Sequence, residues 1–174
     1  MNDTPKILIY GYGNPGRQDD GLGIALSEAI GNWAREKGLN NVATDSNYQL
    51  NIEDAARISE FDLVVFADAT KEKIKGYSVT SLKPSPKIDF TMHSVSPAFI
   101  LNLCLEIYHK KPSAFLLHIK GYKWEFMKDM TPEARENLKG ASGFLKKKIM
   151  TYKKAALGEK ILKNRSIKHK RPFV

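Results

Sequence analysis

The stretch Gly11-Tyr-Gly-Asn-Pro-Gly-Arg-Gln-Asp-Asp-Gly-Leu-Gly23 joins a predicted strand to a predicted helix near the start of this 174-residue chain. The apolar run before it, Lys6–Tyr10, indicates a buried strand. After it, apolar residues recur at helical spacing from Leu22 to Lys37. Because open α/β sheets bind ligands at the carboxyl ends of their strands, this glycine-rich connection is the first candidate for a functional loop.

Strands and helices alternate along the rest of the chain. Further strands are predicted near 41–45, 61–67, 76–83 and 114–119, and further helices at 49–59, at 98–108 and from 131 onward. Asn51 and Ser96 are the predicted N-caps of the second and third helices. Prolines 84 and 86 place the strand at 76–83 at an edge. The pattern predicts a three-layer α/β/α sandwich around a mostly parallel or mixed central sheet of about five strands.

The net charge of +9 is concentrated near the C-terminus. From Leu145 to Val174 there are eleven Lys or Arg residues and one acidic residue, whereas the rest of the chain is close to neutral. This split argues against a nucleic-acid-binding domain. We expect one α/β domain over residues 1–144 and a basic tail over 145–174. The tail is either a solvated charged face or an arm that docks on an acidic partner or nucleic acid.

Cysteine content and hydropathy bear on the compartment. One cysteine, Cys104, excludes an internal disulfide, and no apolar run is long enough to span a membrane. We therefore expect a cytoplasmic protein. Cys104 lies in an apolar helix and is predicted to be buried and inert. The alternative is that Cys104 is a nucleophile and His93 is its base. His118, inside an apolar strand, is predicted to be a core residue.

The glycine-rich loop has two interpretations. Gly11, Gly13 and Gly16 satisfy G-x-G-x-x-G, which cradles a pyrophosphate in dinucleotide-binding proteins. The adjacent carboxylates Asp19 and Asp20 would repel a phosphate at the same helix end, so we favour a different use of the loop.

Other polar residues of this loop leave alternatives open. Asp19 is the predicted N-cap of the first helix. Arg17 either pairs with Asp19 or contacts an acidic substrate group. Asn14 either holds the loop through its side chain or donates its amide to a substrate carbonyl.

Three polar side chains follow predicted strands and would converge if those strands are neighbours. Asp20 leaves the first strand, Asp68 ends the strand at 61–67, and His93 lies in the loop after the strand at 76–83. Two carboxylates and an imidazole suit a divalent transition metal. Taken singly, an aspartate at the end of a strand is more often a turn or cap residue, and a lone histidine is more often structural than ligating.

The order of these motifs resembles that of the hydrogenase maturation proteases. Gly11-x-Gly13-Asn14, four further residues and Asp19-Asp20-Gly21-x-Gly23 are similar to the opening motif of that family. Phe66-Ala67-Asp68-Ala69, Met92-His93-Ser94, Gly121-Tyr-Lys-Trp124-Glu125 and Met130-Thr-Pro-Glu133 resemble its later elements, and the resemblance runs from about Lys6 to Lys139. Around His93 only the histidine matches, and the basic tail lies outside the family core.

The resemblance implies a metal-dependent endopeptidase. Such an enzyme removes the C-terminal extension of a nickel–iron hydrogenase large-subunit precursor after nickel has been inserted. Asp20, Asp68 and His93 would contact nickel presented by the substrate, and the supporting loop would comprise Gly11, Gly13, Asn14, Asp19, Gly21 and Gly23. The implied partner is that precursor or another metalloprotein, and no catalytic nucleophile can be assigned. The alternatives are a non-catalytic metal or metalloprotein binding module of the same fold and a nucleotide-binding protein using the Gly11–Gly16 loop.

Overall fold

Alternating strands and helices build one five-stranded sheet, seen in a computed structural model that describes residues 4–87 and 95–168, with side chains up to residue 153. The strands are β1 (Ile7–Tyr12), β2 (Val42–Asn47), β3 (Leu63–Thr70), β4 (Tyr77–Leu82) and β5 (Ser113–Lys120). The helices are α1 (Leu22–Glu36), α2 (Asp54–Ile58), α3 (Pro97–Tyr108) and α4 (Pro132–Lys168), and a short 3-10 helix spans Gln18–Gly21.

The strands lie in the order β2-β1-β3-β5-β4, with β4 antiparallel to β5 and the other pairs parallel. The predicted α/β/α sandwich with a mixed sheet is confirmed, as is the edge position of β4. The assumption that β4 lies next to β3 is wrong, because β5 separates them. Since β4 runs antiparallel, its carboxyl end lies at the opposite edge of the sheet from the ends of β1 and β3.

Alternate residues of the central strands enter two separate cores. Ile9 and Val65 face α1 and α4, whereas Leu8, Val64 and Phe66 face α2 and α3. Burial on both faces explains why β1 and β3 are apolar nearly throughout. No helix in the described part of the chain combines the length and the apolar character needed to cross a membrane.

The helix starts match the sequence prediction in part. Ser96 is the N-cap of α3 as predicted, since its hydroxyl accepts a hydrogen bond from the Phe99 amide at 3.2 Å and Pro97 follows it. The N-cap prediction for Asn51 is wrong. The chain turns once more before α2, and the Asn51 amide donates to the Asp54 carboxylate at 2.7 Å.

The last helix continues through the predicted start of the basic tail. Leu145 and Ile149 are buried against the sheet face that also packs on α1. The packed part of α4 therefore extends past residue 144, while the division into a domain and a tail stays a prediction.

Deleting residues 154–174 is expected to leave the domain folded. Ile149 is the last buried side chain before residue 154, so the melting temperature should fall by less than about 4 °C, or roughly 1 kcal/mol at this size. In contrast, Ile149→Ala should cost about 2–4 kcal/mol. Thermal unfolding of both variants makes the comparison, and a truncation as damaging as Ile149→Ala would show that the deleted residues are packed structure.

Candidate functional site

The carboxyl ends of β1 and β3 meet at one edge of the sheet. Gly11 pairs in register with Ala67, so Tyr12 and Asp68, the next residue on each strand, are neighbours. Strand alternation places both on the face covered by α2 and α3. This edge therefore joins the glycine-rich loop after β1 to the carboxylate that sequence analysis assigns to the end of β3.

Asp68 carries a carboxyl group in an unusual environment. Burial raises its pKa to about 7, and the negative charge of Asp20 adds to the increase. The Ala69 amide and the Tyr12 hydroxyl oppose this shift by hydrogen bonding to the carboxylate. Burial, followed by the charge of Asp68, in turn raises the pKa of Tyr12 well above its ordinary value. A partly buried carboxyl with a second carboxylate nearby is a group that a cation would stabilise.

Asp20 lies in the 3-10 helix that leads into α1. One oxygen of its carboxylate accepts a hydrogen bond from the Asn14 amide at 3.3 Å, and its own amide donates to the Arg17 carbonyl at 3.1 Å. The Asn14 side-chain oxygen accepts from the Gly16 amide at 2.9 Å, which supports the interpretation that Asn14 holds the loop. The turn at 14–17 thus positions Asp20.

Two glycines of the loop are required by close packing. Gly13 has φ +130°, and a Cβ there would lie 2.1 Å from the Asp20 carbonyl oxygen. A Cβ on Gly11 would lie 2.1 Å from the carbonyl oxygen of Gly23, near the start of α1. These glycines let the start of α1 pack directly on β1. The glycines are therefore explained by the packing that positions Asp20, and this packing supports the metal-site interpretation of the loop over nucleotide binding.

Asp19 has a different role from the predicted one. It is fully buried and accepts four hydrogen bonds, from the amides of Tyr122, Lys123 and Thr131 and from the Thr131 hydroxyl, at 2.7–3.1 Å. Burial disfavours its charge, but these donors outweigh that effect and hold the pKa below its ordinary value. The N-cap prediction is wrong, because the cap position of α1 is Gly21 and no side chain caps it. Asp19 instead anchors the segment at residues 121–131.

Arg17 does not pair with Asp19. Its Nε donates to the Trp124 carbonyl at 3.4 Å, and its guanidinium lies 5.7 Å from the centre of the Phe126 ring. The alternative of pairing with Asp19 is therefore wrong, and the guanidinium is placed at the border between the loop and the 121–131 segment.

Sequence reasoning missed two residues beside Asp68. Tyr12 was not singled out, although its place one residue beyond Gly11 in β1 is a signal for the same edge of the sheet. His118 was interpreted as a core residue, yet it is only half-buried and pairs in register with Asp68 from the neighbouring strand. Cys104 is fully buried, and burial raises the pKa of its thiol, so it fits the inert role predicted for it.

Two of the three residues predicted for the metal site lie near each other. Asp20 and Asp68 come together at the carboxyl edge, close enough for the charge of one to raise the pKa of the other. His93 lies outside the described residues. Within residues 4–87 and 95–153, no group of three His, Cys, Asp or Glu side chains is arranged to hold a metal ion. The three-ligand site therefore stays a prediction.

Solved structures of hydrogenase maturation proteases share this architecture. HycI from Thermococcus kodakarensis KOD1 matches with a TM-score of 0.63 at 18% sequence identity, over 81% of this chain and 90% of its own. HybD from E. coli matches with a TM-score of 0.59 at 18% identity, over 80% of this chain and 89% of its own. The chain has the hydrogenase maturation protease fold.

The likeness is carried by structure more than by sequence. A hydrogenase 2 maturation peptidase from Thaumarchaeota archaeon SCGC_AB-539-E09 also matches, with a TM-score of 0.56 at 17% identity, over 80% of this chain and 95% of its own. No protein-family model and no curated protein matches the sequence at a significant level. The resemblance stated from the motifs is thus confirmed for the fold, and the residues at the carboxyl edge carry the argument for function.

Proposed function

We propose that the protein is a metal-dependent endopeptidase that removes the C-terminal extension of a nickel–iron hydrogenase large-subunit precursor after nickel insertion. The observation that carries this proposal is the pair Asp20 and Asp68, held at the carboxyl edge of a sheet with the hydrogenase maturation protease fold. The substrate class follows the solved structures of that fold, several of which are named as proteases or endopeptidases of hydrogenase maturation.

The charges at the site support engagement of a cation that arrives with the substrate. In the part of the chain with described side chains, neither Asp20 nor Asp68 forms a salt bridge. A divalent ion would offset both charges and favour the ionised form of Asp68. Carboxylate oxygens together with an imidazole, here proposed to be that of His93, are acceptable ligands for nickel. Nickel in the precursor would polarise the scissile carbonyl or activate a water, and its contact with this site would bring the scissile bond to the enzyme.

The cellular location and the rival function of a binding module remain to be considered. We propose a cytoplasmic location, because the single cysteine leaves the chain without a disulfide of its own. A binding module of the same fold would retain affinity for the nickel-loaded precursor without releasing a peptide from it, so the two functions are separable by experiment.

The test is incubation of the full chain with nickel-loaded and nickel-free hydrogenase large-subunit precursor, followed by mass spectrometry. We expect release of one C-terminal peptide from the nickel-loaded precursor only. Binding of that precursor without release of a peptide would favour the non-catalytic module. Absence of both binding and cleavage across a panel of precursors would refute the proposed substrate class.

His93→Ala is expected to lower the cleavage rate at least about 100-fold, because it removes the only imidazole of the proposed ligand set. Its unfolding temperature should stay close to that of the parent if the role of His93 is to bind the metal. Cys104→Ala is the matched control, since it tests the rival nucleophile and should still cleave. If His93→Ala cleaves as fast as the parent, His93 is not a ligand.

A further inference from the structure

Two large apolar side chains are exposed on the border of the candidate site. Phe126 and Met127, in the 121–131 segment, are 70% and 95% exposed. Met127 has φ +54°, in the left-handed region that is disfavoured for residues with a side chain. Strained backbone and exposed apolar surface are each features that mark interaction sites.

Hydrogen bonds fix the backbone that presents these side chains. The Met127 amide donates to the Gly16 carbonyl at 2.9 Å, and the Glu125 amide donates to the Gln18 side-chain oxygen at 3.2 Å. Asp19 holds both ends of the segment through Tyr122, Lys123 and Thr131. The exposure of Phe126 and Met127 is therefore built into the fold of the loop.

Cations surround the aromatic rings of the same surface. The Lys71 ammonium lies 4.8 Å from the centre of the Trp124 ring, and that of Lys120 lies 5.7 Å from the centre of the Tyr122 ring. Arg17 stacks over Phe126 at 5.7 Å. Over the described side chains, none of these three cations forms a salt bridge with a carboxylate.

The acidic residues of the segment do not cancel this charge. Within residues 121–131, Glu125 and Asp129 are balanced by Lys123 and Lys128. Arg17, Lys71 and Lys120, contributed by the neighbouring elements, therefore add three positive charges beside a segment that is itself neutral.

We propose that Arg17, Lys71, Lys120, Tyr122, Phe126 and Met127 form a docking platform for a peptide segment of the substrate protein. The segment recognised carries apolar side chains next to carboxylates. Phe126 and Met127 offer the apolar contact, and methionine adapts to varied partners. Arg17 offers a planar donor for a carboxylate. This inference rests on the proposed function, because it assigns to the platform the polypeptide that is cleaved at the adjacent site.

The platform lies next to the candidate site, which indicates that the substrate polypeptide is the molecule that binds there. Both sides of the turn at 14–17 are held by hydrogen bonds. The Gly16 carbonyl accepts one from the Met127 amide, and the Asn14 amide donates one to the Asp20 carboxylate. A chain lying on Phe126 and Met127 is therefore separated from the carboxylate pair only by that turn. A small anion would leave the two apolar side chains exposed to water, whereas a peptide with both kinds of side chain covers them and meets the cations.

The test measures peptide binding by fluorescence anisotropy with the full chain, in the absence of nickel. The probe is a labelled twelve-residue peptide of glycine and serine carrying two leucines and three glutamates, and the comparison peptide has lysine in place of glutamate. We expect the glutamate peptide to bind at least about tenfold more tightly than the lysine peptide, and more weakly as salt is raised.

Phe126→Ala combined with Met127→Gly is the informative variant. Glycine suits the left-handed backbone at 127, so the loop keeps its shape while both side chains are lost. We expect the dissociation constant to rise at least about tenfold, and Arg17→Gln to raise it as well.

Two controls match these changes at the opposite edge of the sheet. Ile107→Ala removes an exposed apolar side chain near the end of α3, and Lys37→Gln removes an exposed charge at the end of α1. Both should bind the peptide like the parent. Equal binding of the two peptides, or equal losses in the controls, would overturn the proposal.

Three further outcomes separate this proposal from the alternative explanations. If the parent self-associates in analytical ultracentrifugation and the Phe126→Ala, Met127→Gly variant does not, the platform is an interface between copies of this chain and the proposal is wrong. If that variant cleaves a nickel-loaded precursor as fast as the parent, the platform is wrong while the proposed function stands. Peptide binding with no cleavage of any precursor would leave the platform in place and remove the protease assignment.

Discussion

Asp68→Asn is expected to abolish cleavage of the nickel-loaded precursor, with a loss of at least about 100-fold. Asparagine keeps the shape of the side chain but removes the negative charge that the cation would meet. Loss of a residue that only orients a metal ligand already lowers metal affinity or activity about 10- to 100-fold, and loss of the ligand itself is more damaging. The change should not harm the fold, because Asp68 is a carboxyl group that burial and the charge of Asp20 already disfavour in its ionised form.

The stability of the metal-free protein gives this prediction an independent readout. The pKa of Asp68 is about 7 in the folded protein and about 3.9 in an unfolded chain. Between these values the folded state holds a proton that the unfolded state has released, so the contribution of Asp68 to stability falls as pH rises from about 4 to about 7. Asp68→Asn lacks this slope. The variant should therefore gain stability relative to the parent at pH 7.5 compared with pH 4, as measured by denaturant unfolding.

Asp20→Asn and Glu28→Gln complete the comparison. Asp20→Asn should also lose cleavage, and it should lower the pKa of Asp68 because it removes the neighbouring charge. Glu28 is exposed on α1, so Glu28→Gln should cleave like the parent. Full activity in Asp68→Asn would show that the carboxylate pair is not the site of cation contact.

Most of the fold is predictable from the sequence because buried positions recur at the spacing of a helix or a strand, and apolar residues occupy them. The helical spacing from Leu22 predicts α1 almost to the residue, and the apolar run at 61–67 predicts the existence of β3, although β3 begins at Leu63 and continues past Asp68 to Thr70. The order of the strands in the sheet produces no such local pattern. The insertion of β5 between β3 and β4 depends on the path of α3 and on pairing between residues about 50 positions apart, such as Asp68 with His118.

The two neighbouring aspartates show the same limit within the site. By sequence, Asp19 and Asp20 are alike, and the first was assigned to a helix cap. In the structure Asp19 is fully buried and saturated by donors from residues 122–131, while Asp20 accepts one amide of its own turn. The partners of Asp19 lie more than 100 positions away in the chain, so no local pattern could distinguish the two. The contribution of Tyr12 to Asp68 depends similarly on the register of β1 with β3.

Asp19→Asn is expected to cause a large loss of stability, about 3 kcal/mol or more. Asn keeps one carbonyl oxygen as an acceptor, but its NH₂ group would face donors that now meet the second carboxylate oxygen. Buried donors left without an acceptor cost about 1–3 kcal/mol each. Denaturant unfolding at pH 7 measures the loss, and Asp129→Asn, an exposed aspartate of the same segment, is the control expected to stay within about 0.5 kcal/mol.

The dependence of this loss on pH identifies the carboxylate as its source. The folded-state pKa of Asp19 lies below its unfolded value, so its contribution is fully present above about pH 4 and is lost as pH falls through the folded-state pKa. The difference between parent and Asp19→Asn should therefore be large at pH 7 and shrink in acid. A difference below about 1 kcal/mol at pH 7 would show that the 121–131 segment is held by other contacts. Because Asp19 holds the segment that presents Phe126 and Met127, the same substitution should weaken peptide binding at the platform while leaving Asp20 and Asp68 chemically unchanged.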